Sequence, residues 1–375
     1  MKIAVVVPGG LHPSGDKEVV PSWLELFERL SKTHDIHAFV LKHLHEPTTY
    51  QLRGFRVHDL GRPSLPFGMA RWAQERALSI ALDKHGPFDL IHGFFADPAG
   101  QLAARAGSRL KIRSVVTCDS GEFVSIPQIK YGSQRTAHGR KAVDEACALA
   151  TRVHVCSRFM SALAHARDIK TVIIPLTSVT SQAATRSHSR RPYDAPFRII
   201  QVASLSRVKN QRVLIDALKI VREQINAHLD LIGEDTLNGE LQKHAAAIGL
   251  DAHVTFHGFL PQRQVLDLLS TADLYVQSSM HEAAGVSVLE AAAAGVPTVG
   301  TRAGYVADWA PLKATAVGDA IPESLADAIL MSHADPDRRR SIAAAARTVA
   351  IAQDATFSAG RFDELYRTLM RSRST

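Results

Sequence analysis

His281-Glu282-Ala283-Ala284-Gly285-Val286-Ser287-Val288-Leu289-Glu290-Ala291-Ala292-Ala293-Ala294-Gly295-Val296-Pro297-Thr298-Val299-Gly300 reads as a polar loop, a short helix from about Ser287, a glycine stop at Gly295 and a buried strand. The helix is small and apolar, so it can pack tightly on a sheet. Its first turn offers unpaired backbone N–H groups and the positive end of the helix dipole. Gly285 beside it permits close backbone approach by a phosphate. Glu290 follows one turn in, eight residues after Glu282 in the loop. Carboxylates so placed could accept hydrogen bonds from sugar hydroxyls. Ser287-Val288-Leu289-Glu290 also spells a capping box, in which Glu290 would only satisfy a backbone donor.

Upstream of this stretch the pattern is strand, polar loop, helix. Phe197–Ala203 is an apolar strand, and Val202-Ala203-Ser204-Leu205-Ser206-Arg207-Val208-Lys209-Asn210-Gln211 leads from it into a helix with Val213, Leu214, Ala217, Leu218 and Val221 inward. Arg207 and Lys209 could neutralise a diphosphate there, or could be solvated loop cations. His228–Gly233, His253–His257 and Leu274–Gln277 read as further strands. The first half has the same grammar. Ile3–Val7 is a continuous apolar run of the kind buried on both faces. A turn-rich Pro8–Asp16 follows it, then an amphipathic helix with Trp23, Leu26, Phe27 and Leu30 on one face. Ile36–Leu41, Phe88–His92 and Arg113–Thr117 are strands, and Ala99–Ala106 is a helix. Such alternation predicts parallel α/β sheets. Thr177–Pro196, rich in Ser, Thr and Arg, reads as the linker. Two doubly wound lobes facing across a cleft are therefore expected, over residues 1–180 and 197–355. Thr356–Met370 forms an amphipathic helix that could cross back to the first lobe.

The 375 residues suit two domains, and 46% hydrophobic with 22% charged residues is an ordinary globular balance. The net charge of +7 favours anionic ligands without choosing among them. Its basic residues are scattered, with short clusters at Arg190-Arg191 and Arg338–Arg340, so no nucleic-acid footprint is expected. Three cysteines, Cys118, Cys147 and Cys156, with no C-x-x-C, disfavour a disulfide framework or a zinc ribbon. No run approaches the ~20 apolar residues of a membrane span. The expectation is a soluble cytoplasmic protein that could touch the inner membrane face.

Taken together, the segments around Lys209 and Glu282–Val299 resemble the family 4 retaining glycosyltransferases of GT-B fold. Glu282 and Glu290 fit the family's E-x7-E motif, and Leu289–Val299 fits its L-E-A-x-A-x-G-x-P-V-V pattern. Lys209-Asn210 fits the K-N of the phosphate loop. Leu231–Asp235, Val254–Leu260 and Ala272–Leu274 occur in the family's order. The likeness extends more weakly to the first lobe through Gly9-Gly10, Gly15, Asp89–His92 and Val153–Ser157.

The resemblance implies roles for individual residues. Glu290 would hold the ribose hydroxyls and Glu282 the donor sugar. The backbone of Ala284, Gly285 and Val286 would sit near sugar and diphosphate, and Lys209 would bind the diphosphate. The backbone of Leu260 would meet the nucleobase. Gly10 or Gly15 would let the first-lobe loop approach the diphosphate. It further implies a nucleotide-sugar donor, a sugar, lipid-linked or small-molecule acceptor, retention of configuration, and no cofactor or metal. There are departures too. The Arg usual after the phosphate-loop glycine is Ser204, leaving Arg207 as the nearest basic substitute. The usual first-lobe His position holds Asp119, within Cys118-Asp119-Ser120-Gly121-Glu122. The glycine after the first Glu is Ala283, and the common Pro-Asn-Gly-Val is Pro175-Leu176-Thr177-Ser178.

Other chemistries lack their signatures. There is no GxGxxG after the first strand, no P-loop, no Gly-x-Ser-x-Gly elbow and no H-E-x-x-H. Most of the eighteen histidines are expected at the surface or in the cleft, and His92, at a strand end, could serve a site or the structure alone. Asp335-Pro336-Asp337 spells a D-x-D but reads as a helix start. The rival readings are an epimerase or phosphorylase on the same fold, and a nucleotide-sugar-binding protein without turnover.

Overall fold

Lys2–Val7 (β1) carries no polar residue after Lys2, and all five following side chains are buried. Only a strand in the middle of a sheet covered on both faces satisfies such a run. The computed structural model, which describes residues 1–42, 44–62, 67–179 and 195–371, places it there. The linker segment 180–194, with Arg190 and Arg191, lies outside the described residues. By internal contacts the chain divides into one unit of Met1–Ser178 with Ala355–Thr375, and a second of Val179–Asp354.

The first unit holds β1, Asp35–Val40 (β2), Thr48–Leu52 (β3), Phe55–Asp59 (β4), Leu90–Phe94 (β5), Arg113–Cys118 (β6), Arg152–Val155 (β7) and Thr171–Ile173 (β8), in the order β3-β4-β2-β1-β5-β6-β7-β8. All neighbours are parallel except β3 and β4. That pair departs from the expected all-parallel sheet. Arg53 and Gly54, both at positive φ, form its two-residue turn, and such turns close antiparallel hairpins. The amphipathic helix forms as Pro21–Leu30, with Trp23, Leu26, Phe27 and Leu30 buried.

The C-terminal helix Ala355–Arg371 packs on Pro21–Leu30 in this same unit. Phe362, Tyr366 and Leu369 are buried, each worth about 1.5–3 kcal/mol in apolar transfer. A buried polar chain fixes the helix further. His154 Nε2 lies 2.8 Å from the Ile174 carbonyl, which can only accept, so that nitrogen carries the proton. The Thr117 hydroxyl then donates to His154 Nδ1 at 2.9 Å and accepts from His92 Nε2 at 2.7 Å. The Tyr366 hydroxyl completes the run by donating to His92 Nδ1 at 2.7 Å. His92 therefore lies inside β5 as a structural residue, fully buried, rather than at a strand end. His34, His37, His58, His92, His154 and His281 are all buried.

The second unit holds Phe197–Val202 (β9), Ala227–Ile232 (β10), Val254–Gly258 (β11), Leu274–Gln277 (β12), Thr298–Thr301 (β13) and Thr315–Val317 (β14). Their order is β11-β10-β9-β12-β13-β14, with every pair parallel. Leu214, Leu218, Val221, Leu229, Leu231, Leu274 and Val276 anchor its core. Asp335 caps the helix Pro336–Ala352, its carboxylate accepting from Arg338 N–H at 2.9 Å, as expected of the D-x-D sequence. Among the described residues, no helix is long and apolar enough to cross a membrane.

Candidate functional site

In the second unit β9 leads to β10 on one side, while the adjacent β12 leads to β13 on the other. The chain thus reverses its winding direction between β9 and β12, and such a switch point, at the carboxyl ends of the strands, is where open α/β sheets bind ligands. One loop carries Ser204, Arg207 and Lys209, and the other carries Glu282 and Gly285.

The β9 loop is tightly determined. Gln211, buried at the start of the helix Gln211–Arg222, donates to the Ser204 carbonyl at 3.0 Å and accepts from Ser206 N–H at 3.3 Å. Gly233 passes so close that a Cβ there would lie 2.1 Å from the Ala203 oxygen. Arg207–Lys209 is a single 3₁₀ turn, ended by Asn210 in the left-handed region. The turn separates its two cations. Lys209 Nζ meets Glu282 Oε1 at 2.7 Å, with both side chains largely buried. Arg207 instead pairs with Glu240 at 2.9 Å, with 59% of its side chain exposed. Only Lys209 of the two expected phosphate ligands faces the β12 loop.

The two loops are joined independently of that ion pair. The Ser278 hydroxyl donates to the Lys209 carbonyl at 2.8 Å, and Met280 N–H donates to the Val208 carbonyl at 2.8 Å. The Ser279 hydroxyl donates to Glu282 Oε1 at 2.6 Å, so Glu282 is held from two sides. The Ala284 carbonyl accepts from Tyr305 N–H at 2.7 Å, and a Cβ at Gly304 would come within 2.3 Å of it. Ala284 is thereby pinned and buried, leaving Gly285 and Val286 half-buried at the helix start.

The helix Val286–Ala293 begins from Gly285, at φ 82°, with no side-chain cap. The Ser287–Glu290 capping box is thus absent. Ser287 already lies in the first turn, and its hydroxyl pairs with the buried Tyr275 hydroxyl at 2.7 Å. Burial pushes the Tyr275 phenol well above its ordinary range, so it stays protonated. Glu290, in the second turn, accepts from Gln262 Nε2 at 3.1 Å. Gln262 opens the helix that follows β11, so this bond draws Glu290 and Leu260 into one neighbourhood. Leu260 itself is half-buried.

Ser279, Tyr275, Gln262 and Gln277 were not singled out from sequence. Gln277 donates to the Ala303 carbonyl at 3.1 Å and leaves Oε1 buried and unpaired, 2.6 Å from where a Gly285 Cβ would stand. A polar pair, Tyr275 and Gln277, within an otherwise apolar strand running into a glycine loop was the available signal.

The remaining expected residues belong to the first unit and are accounted for there. Gly10 has φ 80°, and a Cβ would strike Val20 at 2.8 Å. Gly15, buried at φ 69°, closes a turn by donating to the His12 carbonyl at 3.0 Å. Asp119 is half-buried after β6 and bonds the Cys156 thiol, which burial first and Asp119 second push well above its ordinary range. All three cysteines are free. Glu122 is the buried carboxylate of this segment, raised by desolvation against several backbone N–H bonds.

One histidine cluster has ligand atoms within 4.8 Å of one another: His37 on β2, His58 on β4 and His85. Arg56 Nη1 can only donate, and it lies 3.0 Å from His37 Nε2. His37 Nδ1–H then donates to His58 Nε2 at 3.0 Å, and His58 Nδ1–H to the Thr49 hydroxyl at 3.2 Å. Asp35, 3.3 Å from the same His37 Nε2, is largely exposed and is the weaker contact. His58 stacks on His85 with ring centroids 4.0 Å apart. Burial, then the neighbouring positive groups, pushes His58 down to about 4. A neutral hydrogen-bonded stack accounts for the cluster.

Residues 185–349 match the family described as "Glycosyl transferases group 1", and residues 19–177 match "Glycosyl transferase 4-like domain". A GDP-mannose-dependent alpha-(1-6)-phosphatidylinositol dimannoside mannosyltransferase of Mycobacterium tuberculosis is 29% identical over 160 residues, 42% of this chain and 40% of that protein. Mannosylfructose-phosphate synthase of Agrobacterium fabrum is 30% identical over 128 residues, 32% of this chain and 28% of that protein. The matches thus span well under half of these relatives' own length. A sucrose-phosphate synthase structure from Thermosynechococcus elongatus superposes with a TM-score of 0.79 at 20% identity, covering 99% of this chain and 100% of that one.

Proposed function

The chain belongs to the family 4 glycosyltransferases of GT-B fold, and from that premise we propose that it moves a hexose-type sugar from a nucleotide-sugar to an acceptor hydroxyl, with retention and without a metal. The observation that carries the reading is the Lys209–Glu282 pair at the β9/β12 switch point, with Glu290 one turn into the adjoining helix. A relative whose name specifies GDP-mannose supports a nucleotide-sugar donor. The diphosphate would lie against Lys209 and the amides of Gly285 and Val286. Glu290 would take the ribose hydroxyls and the Leu260 backbone the base, two positions already linked through Gln262. Glu282, held by Ser279, would accept from a sugar hydroxyl while orienting Lys209.

In the transfer step the bond from the anomeric carbon to the diphosphate breaks. A bond to the acceptor oxygen forms on the same face, and the acceptor's proton passes to a leaving phosphate oxygen. Charge grows on the diphosphate as this happens. A preorganised ammonium and helix N-terminus stabilise that charge in the place where other enzymes use a metal. A thermal-shift screen of nucleotide-sugars, then turnover in excess chelator with NMR of the product anomer, tests the reading. The expected result is one stabilising donor and a retained anomer. Inversion, no stabilising donor, or a complete loss of turnover restored by magnesium or manganese would defeat it.

A further inference from the structure

A recess lies wholly within the first unit, at the carboxyl ends of β5 and β6. After β6, Glu122 accepts from Ser120 N–H at 2.7 Å and from Ala96 N–H at 3.3 Å, curling the loop back on itself. Ser133 N–H donates to the Gly121 carbonyl at 2.9 Å, which brings the Tyr131–Thr136 segment over it. The fit is close, since a Cβ on Gly121 would lie 2.8 Å from the Tyr131 ring. Thr136 then caps the helix Ala137–Leu149, its hydroxyl accepting from Gly139 N–H at 3.0 Å. Between these parts is a cavity of about 260 Å³ bordered by Asp97, Ser120, Tyr131, Arg135 and His138. That is room for one sugar-sized group.

Its charge is one-sided. Asp97, the acidic side chain on the rim, is already paired with Arg71 at 2.6 Å. Arg135 and His138 are exposed, and neither side chain has a hydrogen-bond or ion-pair partner among the described residues. A guanidinium that no carboxylate satisfies is a fork for two anionic oxygens.

We infer that this recess holds a phosphate ester carried by the acceptor, with Arg135 and His138 as its ligands and Ser120 and Tyr131 beside the sugar. The word acceptor rests on the transferase reading above; the anion site does not. Calorimetric titration of the full chain with glucose 6-phosphate, inorganic phosphate and glucose tests it. Glucose 6-phosphate should bind with a millimolar or tighter Kd. Arg135→Gln should weaken it by at least about tenfold, the scale of losing one charged contact, and His138→Gln by about threefold, the scale of losing one hydrogen bond. Glucose should not distinguish the variants from the parent. Both substitutions are at exposed positions, and unchanged melting temperatures would certify the fold. Three outcomes overturn the proposal: equal affinity in Arg135→Gln, inorganic phosphate binding as tightly as the sugar phosphate, or an affinity abolished by Lys209→Ala but kept in Arg135→Gln, which would place the phosphate in the other unit. Failure of the nucleotide-sugar screen would leave these titrations standing, so the two readings fail separately.

Discussion

Lys209→Ala removes one ammonium and little else. The β9 and β12 loops stay tied by Ser278 to the Lys209 carbonyl and by Met280 to the Val208 carbonyl, bonds that need no Lys209 side chain. Glu282 keeps Ser279 as a partner and is near enough to solvent to rehydrate, its side chain being 13% exposed. The stability cost should therefore stay near 1 kcal/mol, below the roughly 3–5 kcal/mol of breaking a deeply buried pair. The catalytic cost should be larger. If Lys209 is the one cation at this switch point that meets the leaving diphosphate, its loss should lower kcat by roughly 10²–10³, about 3–4 kcal/mol. Single-turnover rates with saturating donor, read beside melting temperature and donor affinity, separate the two costs. Lys209→Arg should recover part of the rate, since charge is kept and geometry is not. A near-parental kcat in Lys209→Ala, with donor bound and fold intact, would refute the reasoning and remove the β9 loop from the mechanism.

Arg207→Ala should change kcat by less than about threefold, because the guanidinium is committed to an exposed pair with Glu240 of the kind worth under about 1 kcal/mol; steady-state kinetics check it, and a loss matching Lys209→Ala would show that Arg207 swings inward on donor binding. Glu290→Gln should weaken donor binding about tenfold in calorimetry and barely move the melting temperature, since a helix that starts from Gly285 puts Glu290 beyond the capping-box position and the amide oxygen can still accept from Gln262. The protein should lose stability on acidification from about pH 6.5 towards 4. His154 is buried and neutral with a pKa lowered to about 4 by desolvation, whereas the unfolded chain takes up that proton near 6.5. The unfolded state thus binds more protons in this window, and one such histidine contributes on the order of 3 kcal/mol that is lost at its lower end. His154→Gln should flatten the dependence of melting temperature on pH; an unchanged slope would contradict the neutral relay from Tyr366 to Ile174.

The sequence by itself determined the succession of strands and helices. An apolar run such as Ile3–Val7 marks a strand buried on both faces, and it lies in the middle of its sheet. Spacing along one chain carries that information, because strand and helix periods are local. Tertiary structure decided what spacing could not. Lys209 and Arg207, two residues apart, look equivalent in sequence, yet one 3₁₀ turn sends them to Glu282 and Glu240. Ser287 and Glu290 spell a cap that Gly285 pre-empts, because the backbone enters the helix from the left-handed region one residue before Val286. His92 could be a site or a structural residue by sequence alone, and the fold makes it the centre of a buried relay that reaches Tyr366, 274 residues away. The recess around Arg135 has no motif at all. It exists because Glu122, Gly121 and Thr136 fold three turns against one another, and long-range contacts of that kind leave no period in the sequence.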